Sequence, residues 1–136
     1  MRRRKVVKYS KSWYDRECMV IAKKIVRIRD KMTCQRCWSK KAPQCSHVYS
    51  DGRDRRLSVD PMNMKILCMS CHLYRRHKEP LEAYERYKSK FPDRYKYLEK
   101  KHIENMKWWS ISLQWREDTY NDLLNQAKKY NIKKSW

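Results

Sequence analysis

Two cysteine pairs, Cys34-Gln35-Arg36-Cys37 and Cys68-Met69-Ser70-Cys71, constrain this chain more than any other feature. Two residues between paired cysteines let both sulfurs face one ion, and four thiolates satisfy tetrahedral Zn²⁺. Such a closed sphere leaves zinc no open position, so the ion is expected to hold the fold and to do no chemistry. The pairs are separated by residues 38–67, which is longer than a minimal ribbon and leaves room for a functional insert. Disulfides are the competing reading of the six cysteines. They are disfavoured because "MRRRKVVKYS" is basic with no apolar core behind it, so no export signal is read and a cytoplasmic location is expected. Cys18 and Cys45 are left over and read as ordinary buried thiols.

Charge sets the partner class. Lys and Arg number 35 against 15 Asp and Glu, a net charge of +20 on 136 residues. A polyanion is the leading partner, with DNA first, and binding should weaken steeply as salt rises. An anionic membrane is the weaker alternative, since no apolar run approaches the ~18 residues of a spanning helix. One glycine and four prolines disfavour an all-β fold and favour helices. Ten Tyr and six Trp against one Phe suit a core and also a surface that touches nucleic acid.

Periodicity then divides the chain. A basic arm covers residues 1–11. A helix follows from Ser12, with Ile21, Ile25, Ile28 and Met32 as its apolar stripe. Lys23, Lys24, Arg27 and Arg29 lie off the stripe, either as a solvated face or as phosphate contacts. "LSVDPMNMKILC" reads as a strand, a turn at Asp60-Pro61 and a second strand. Helical character returns near Ser70. Pro80 opens one helix. Pro92 and Asp93 open the next, with Tyr97, Leu98, Ile103 and Met106 inward. A last helix spans about Arg116 to Tyr130, using Tyr120, Leu123, Leu124, Ala127 and Tyr130.

Inside the insert sit His47 and Asn63, and His72 follows the second pair directly. Alone, His47 reads by default as a satisfied structural histidine, with metal ligand and base as the alternatives, and Asn63 reads as a turn residue after Pro61. Together they give His, Asn and His on a strand, a second strand and a helix start. The block "CSHVYSDGRDRRLSVDPMNMKILCMSCHLYRRHKEPLEAY" resembles HNH endonucleases of the ββα-metal class. Within that class it is most similar to the phage NinG/Rap recombination endonucleases, over roughly residues 30 to 130.

The resemblance implies an α+β fold: a zinc-stapled ββα-metal core at 12–91, including the N-terminal helix, and a helical C-terminal extension at 92–136. It implies that His47 is the general base, a role suited to an imidazole with a reference pKa of about 6.5. Asn63 would brace the loop carrying that base. His72 would bind a catalytic Mg²⁺ or Mn²⁺, with His77 as the favoured further ligand and Asp51, Asp54 or Asp60 as oxygen donors. Many family members carry a carboxylate just before the base, where this chain has Ser46. Arg53, Arg55, Arg56, Arg75, Arg76 and Lys78 would meet DNA phosphates, which fixes position without reading sequence. The implied substrates are branched recombination intermediates such as D-loops and Holliday junctions. A homodimer would supply the second cut, with Trp108, Trp109 and Trp115 at its interface or wedged into a junction. Two rivals stand beside this: a non-catalytic zinc module that binds DNA or RNA, and a homing or packaging-associated HNH nuclease.

Overall fold

The computed structural model describes residues 9–76, 78–108 and 110–132. Most of the expected basic arm therefore lies outside the described residues, as do His77 and Trp109.

Helix α1 runs Lys11–Arg29. Ser10 starts it by accepting the Trp13 N–H at 3.2 Å, which satisfies one of the donors a helix N-terminus leaves unpaired. Lys31 and Met32 stop it by turning left-handed, with φ of 54° and 52°. Its buried face runs through Tyr14, Cys18, Ile21 and Ile25, flanked by Ala22 and Val26. The predicted stripe is thus correct at Ile21 and Ile25 and wrong beyond them. Ile28 is 46% exposed and Met32 42%. The reason is that the last turn of α1 grips its neighbour through polar groups. Arg29 donates to the carbonyls of Pro61 at 2.7 Å and Met64 at 2.6 Å. It also pairs with Asp30 at 2.8 Å, whose other oxygen accepts the Ile66 N–H at 2.9 Å. Arg29 therefore belongs to the framework and not to a solvated or phosphate-binding face.

Strands β1 (Pro43–His47) and β2 (Met64–Cys68) form an antiparallel pair, with His47 opposite Met64 and Pro43 opposite Cys68. The expected first strand at "LSV" is instead a single 3₁₀ turn, Leu57–Val59, and a second covers Pro61–Asn63. Short acidic side chains cause both departures, because they capture backbone donors that a strand would need. Asp54 Oδ1 accepts the Leu57 N–H at 3.0 Å, and Asp60 Oδ1 accepts the Met62 N–H at 2.9 Å.

After β2 the chain makes a π-helical turn at Cys71–Arg76. Helices α2 (Pro80–Lys90), α3 (Pro92–Asn105) and α4 (Leu113–Lys129) follow. Pro80 and Pro92 open α2 and α3 where a missing N–H costs nothing. Ser112 starts α4 by accepting the Trp115 N–H at 3.0 Å, so the last helix begins three residues earlier than its apolar pattern implied.

β2 is buried along its whole length. Met64 and Ile66 join the main core between α1 and α4, with Ile21, Ile25, Tyr120 and Leu123. Leu67 packs with the cysteines. A second core under α2 and α3 gathers Tyr49, Leu57, Tyr87 and Leu98. The expected inward face of α3 holds only in part: Leu98 is fully buried, but Ile103 is 58% exposed and Met106 65%. The inward face instead carries Leu98, His102 and Asn105, at the i, i+4 and i+7 positions of one helix side. Its two polar members face the buried carboxylate of Asp54. Among the described residues no helix is long and apolar enough to cross a membrane.

Candidate functional site

The four paired cysteines converge. All four sulfurs lie within 4.8 Å of one another, and Cys37 Sγ is 3.6 Å from Cys68 Sγ. The hairpin pairing that sets Cys68 opposite Pro43 brings the second pair up to the first. Backbone amides already point at the sulfurs: Arg36 and Cys37 N–H at Cys34 Sγ (3.4 and 3.5 Å) and Cys71 N–H at Cys68 Sγ (3.5 Å). Burial opposes a negative charge on Cys34, but those amide donors outweigh it and bring the thiol down to about 7. This donor set fits Zn²⁺ and leaves no open position for a substrate. Cys18 and Cys45 stand apart, with burial pushing the first up to about 12 and raising the second.

His47 closes β1, and the chain leaves it into the loop 48–63. Its Nε2 lies 2.8 Å from the carbonyl oxygen of Ser58. A carbonyl can only accept, so Nε2 carries the proton and the neutral ring holds its lone pair on Nδ1. Asn63 is fully buried, with 0% exposure. Its Oδ1 accepts the Tyr49 N–H at 2.8 Å. Its Nδ2 donates to the Tyr49 and Leu57 carbonyls, each at 2.9 Å. The Asn63 carbonyl accepts the Val48 N–H at 2.8 Å. The Asn63 side chain thus ties the start of the loop at Tyr49 to Leu57, eight residues further on.

His72 follows the last cysteine at the head of the π-turn. Its Nδ1 is 2.6 Å from Gln44 Oε1, so Nδ1 donates and the neutral ring presents a lone pair at Nε2. An acceptor on the far nitrogen is the usual way a metal-binding histidine is oriented. Gln44 was not singled out by sequence reasoning, since a glutamine on a short strand carries no motif. Two residues along, on the same strand face, Ser46 is 1% exposed. Its Oγ has no hydrogen-bond partner among the described residues. A buried, unpartnered hydroxyl on the strand that orients His72 is a donor that a divalent ion could engage. Two of the three alternative oxygen donors are already engaged. Both Asp54 oxygens accept hydrogen bonds from Leu57, His102 and Asn105. Asp60 accepts from Met62 and Tyr97. Asp51 is exposed. His77 lies outside the described residues.

The basic residues separate into two groups. Arg53 is exposed and lies over the Tyr49 ring at 5.0 Å. Arg55 is exposed and pairs loosely with Asp15 at 3.6 Å. Lys78 is exposed. Arg56 differs: its guanidinium holds the carbonyls of Asn105, Trp108 and Ser110 at 3.4, 3.0 and 2.8 Å. It ties the loop to the end of α3. Arg75 and Arg76 lie in the π-turn, and their side chains are outside what is described. Between the hairpin and α2, a cavity of about 280 Å³ is lined by Val48, Arg53, Lys65, Tyr84 and Tyr87, and His47 is not among its lining residues. Two cations and two phenols there suit a phosphate and its sugar.

A curated protein of Lactococcus phage SK1, named a probable HNH endonuclease, is 33% identical to this chain over 66 residues. The match covers 44% of this chain and 70% of that protein. No family model matches the chain. No solved structure matches it either.

Proposed function

Because the chain belongs to the HNH endonuclease family, we propose that it is a metal-dependent DNA endonuclease whose working residues are His47, Asn63 and His72. The observation that carries this reading is the clamp of Asn63 on Tyr49 and Leu57 in the loop after His47, together with the Ser58 carbonyl on His47 Nε2. A base must be held in one tautomer to take a proton from water in one direction. The carbonyl does that, leaving Nδ1 to accept the proton. His72 and Ser46 would hold the divalent ion, Mg²⁺ or Mn²⁺. When bound, it polarises the scissile phosphate and offsets charge on the leaving 3′-oxygen. His47 would take the proton of the attacking water, and the exposed Arg53 would supply positive charge to the phosphate.

In this reading zinc sits in the four-cysteine site and is a separate ion with a separate task. The hairpin, the π-turn and α2 make up the ββα-metal core. Arg53, Arg55, Arg75, Arg76 and Lys78 neutralise DNA phosphates, while Arg56 serves the fold. Among the described residues no helix presents a base-reading set, which favours recognition of DNA shape over sequence. Branched recombination intermediates, the substrates of the NinG/Rap group, are the preferred DNA. The exposed Trp108, 70% open to solvent, suits a wedge at a branch or a face between two copies. The enzyme would act in the cytoplasm of a phage-infected cell.

The test is cleavage of labelled four-way junction, D-loop and linear duplex DNA with Mg²⁺ or Mn²⁺. Preference for the branched forms supports the recombination reading. Preference for duplex moves the protein to the homing or packaging class. Binding without cleavage under either ion, in zinc-loaded protein, leaves the non-catalytic zinc module, which Ser46 in place of a carboxylate would then explain.

A further inference from the structure

α3 reaches back to the site through one buried pair. Asp54, 6% exposed, sits in the loop between His47 and Asn63. Its Oδ2 accepts from His102 Nδ1 at 2.8 Å, and Asn105 Nδ2 lies 3.2 Å from both of its oxygens. The His102 ring also stacks on Tyr49, with centroids 4.6 Å apart and an interplanar angle of 30°. Tyr49 is the residue whose backbone Asn63 holds on both sides. Asp54 in turn organises the far end of the loop. Its side chain accepts the Leu57 N–H, and its carbonyl accepts the Ser58 N–H at 3.1 Å. Ser58 supplies the carbonyl that meets His47 Nε2.

These bonds form one path from α3 to the imidazole. We infer that His102 and Asp54 are positioning residues for His47: the pair sets the place of the Ser58 carbonyl and hence which nitrogen of His47 bears the proton. The inference rests on the nuclease reading above for its consequence in catalysis, but not for its structural content. Asp54 touches no reacting atom, and a carboxylate so fully engaged is not a metal ligand. Its role passes through the loop. His102 contributes two separable things: the N–H to Asp54 and the ring over Tyr49.

Two variants divide those contributions. His102→Phe keeps a ring over Tyr49 and removes the donor. His102→Asn keeps a donor near the Nδ1 position and removes most of the ring. The primary readout is the tautomer of His47 by ¹⁵N NMR on zinc-loaded, histidine-labelled protein, beside kcat and KM for DNA cleavage. The wild type is expected to show His47 protonated at Nε2. His102→Phe should show a mixture of tautomers and lose about tenfold or more in kcat, with KM for DNA unchanged. His102→Asn should recover most of both. Asp54→Asn, which is isosteric, carries the same test if His102→Phe fails to load zinc. A single Nε2–H tautomer in the folded variants, or equal losses in kcat and KM, would overturn the inference. If the wild type does not cleave but the tautomer shifts as described, the positioning role stands and the nuclease reading fails.

Discussion

Replacing Asn63 tests how much of the fold depends on the clamp around the site. The side chain makes three hydrogen bonds of 2.8, 2.9 and 2.9 Å, all to backbone groups of Tyr49 and Leu57. Asn63→Ala removes all three. It leaves one N–H and two carbonyls facing the space the amide filled. A typical bond contributes about 1 kcal/mol net, and a buried partner left unsatisfied costs about 1–3 kcal/mol. Water entering the gap recovers part of that. The expected loss is about 3–5 kcal/mol, a large share of the 5–15 kcal/mol of an ordinary domain. The assay is urea unfolding of zinc-saturated protein followed by tryptophan fluorescence.

Asn63→Asp sharpens the test. It keeps an acceptor for the Tyr49 N–H but sets its second oxygen against two carbonyls. The charged form is disfavoured there, so the folded-state pKa of the new carboxyl lies above its unfolded value. The variant's carboxyl therefore favours folding most below the unfolded pKa, and that advantage is lost as pH rises through the folded pKa. Its deficit relative to the wild type should be smaller at pH 4 than at pH 7. A loss under 1 kcal/mol for Asn63→Ala, or a pH-independent deficit for Asn63→Asp, would refute the clamp.

Three further outcomes are expected. Zinc analysis by mass spectrometry should give one ion per chain, and a strong chelator should lower the melting temperature sharply, because binding at the four cysteines is part of the folding free energy. In native zinc-loaded protein Cys18 and Cys45 should resist alkylation at pH 8. Burial raises both thiols, Cys18 to about 12. The stability this gives is complete below the unfolded value near 9 and is lost as pH rises toward 12, so alkaline unfolding should be accompanied by labelling at both positions. In DNA-binding titrations against salt, removing Arg53 or Lys78 should each flatten the log–log slope by about 1. Arg56→Ala should instead lower thermal stability and leave the slope nearly unchanged.

What could be read in advance was local. The Cys-x-x-Cys pairs carry their chemistry in their spacing, so the metal cluster was legible before any fold was known. Roles for His47, Asn63 and His72 came from the family resemblance and not from spacing, though their order around the second pair was legible. So were the helices that Pro80 and Pro92 open. Polar packing was not legible. Arg29 and Asp30 bond to the backbone of residues more than thirty positions away, and no periodicity marks such a pair. His102 and Asn105 occupy the inward face of α3 because Asp54 is there to meet them. A hydrophobic stripe drawn through Ile103 and Met106 therefore pointed at solvent. "LSVDPMN" alternates like a strand, yet Asp54 and Asp60 take the donors a strand would offer. Gln44 escaped notice because its role appears only once the hairpin sets it beside His72.

The central claim is that His47 is the base of a metal-dependent nuclease. The most direct measurement is single-turnover DNA cleavage by wild type and His47→Ala, both shown to hold zinc and to bind DNA equally. The account predicts Mg²⁺- or Mn²⁺-dependent cleavage by the wild type and a loss of at least about a hundredfold in the variant with affinity unchanged. Equal cleavage by the two proteins would contradict it.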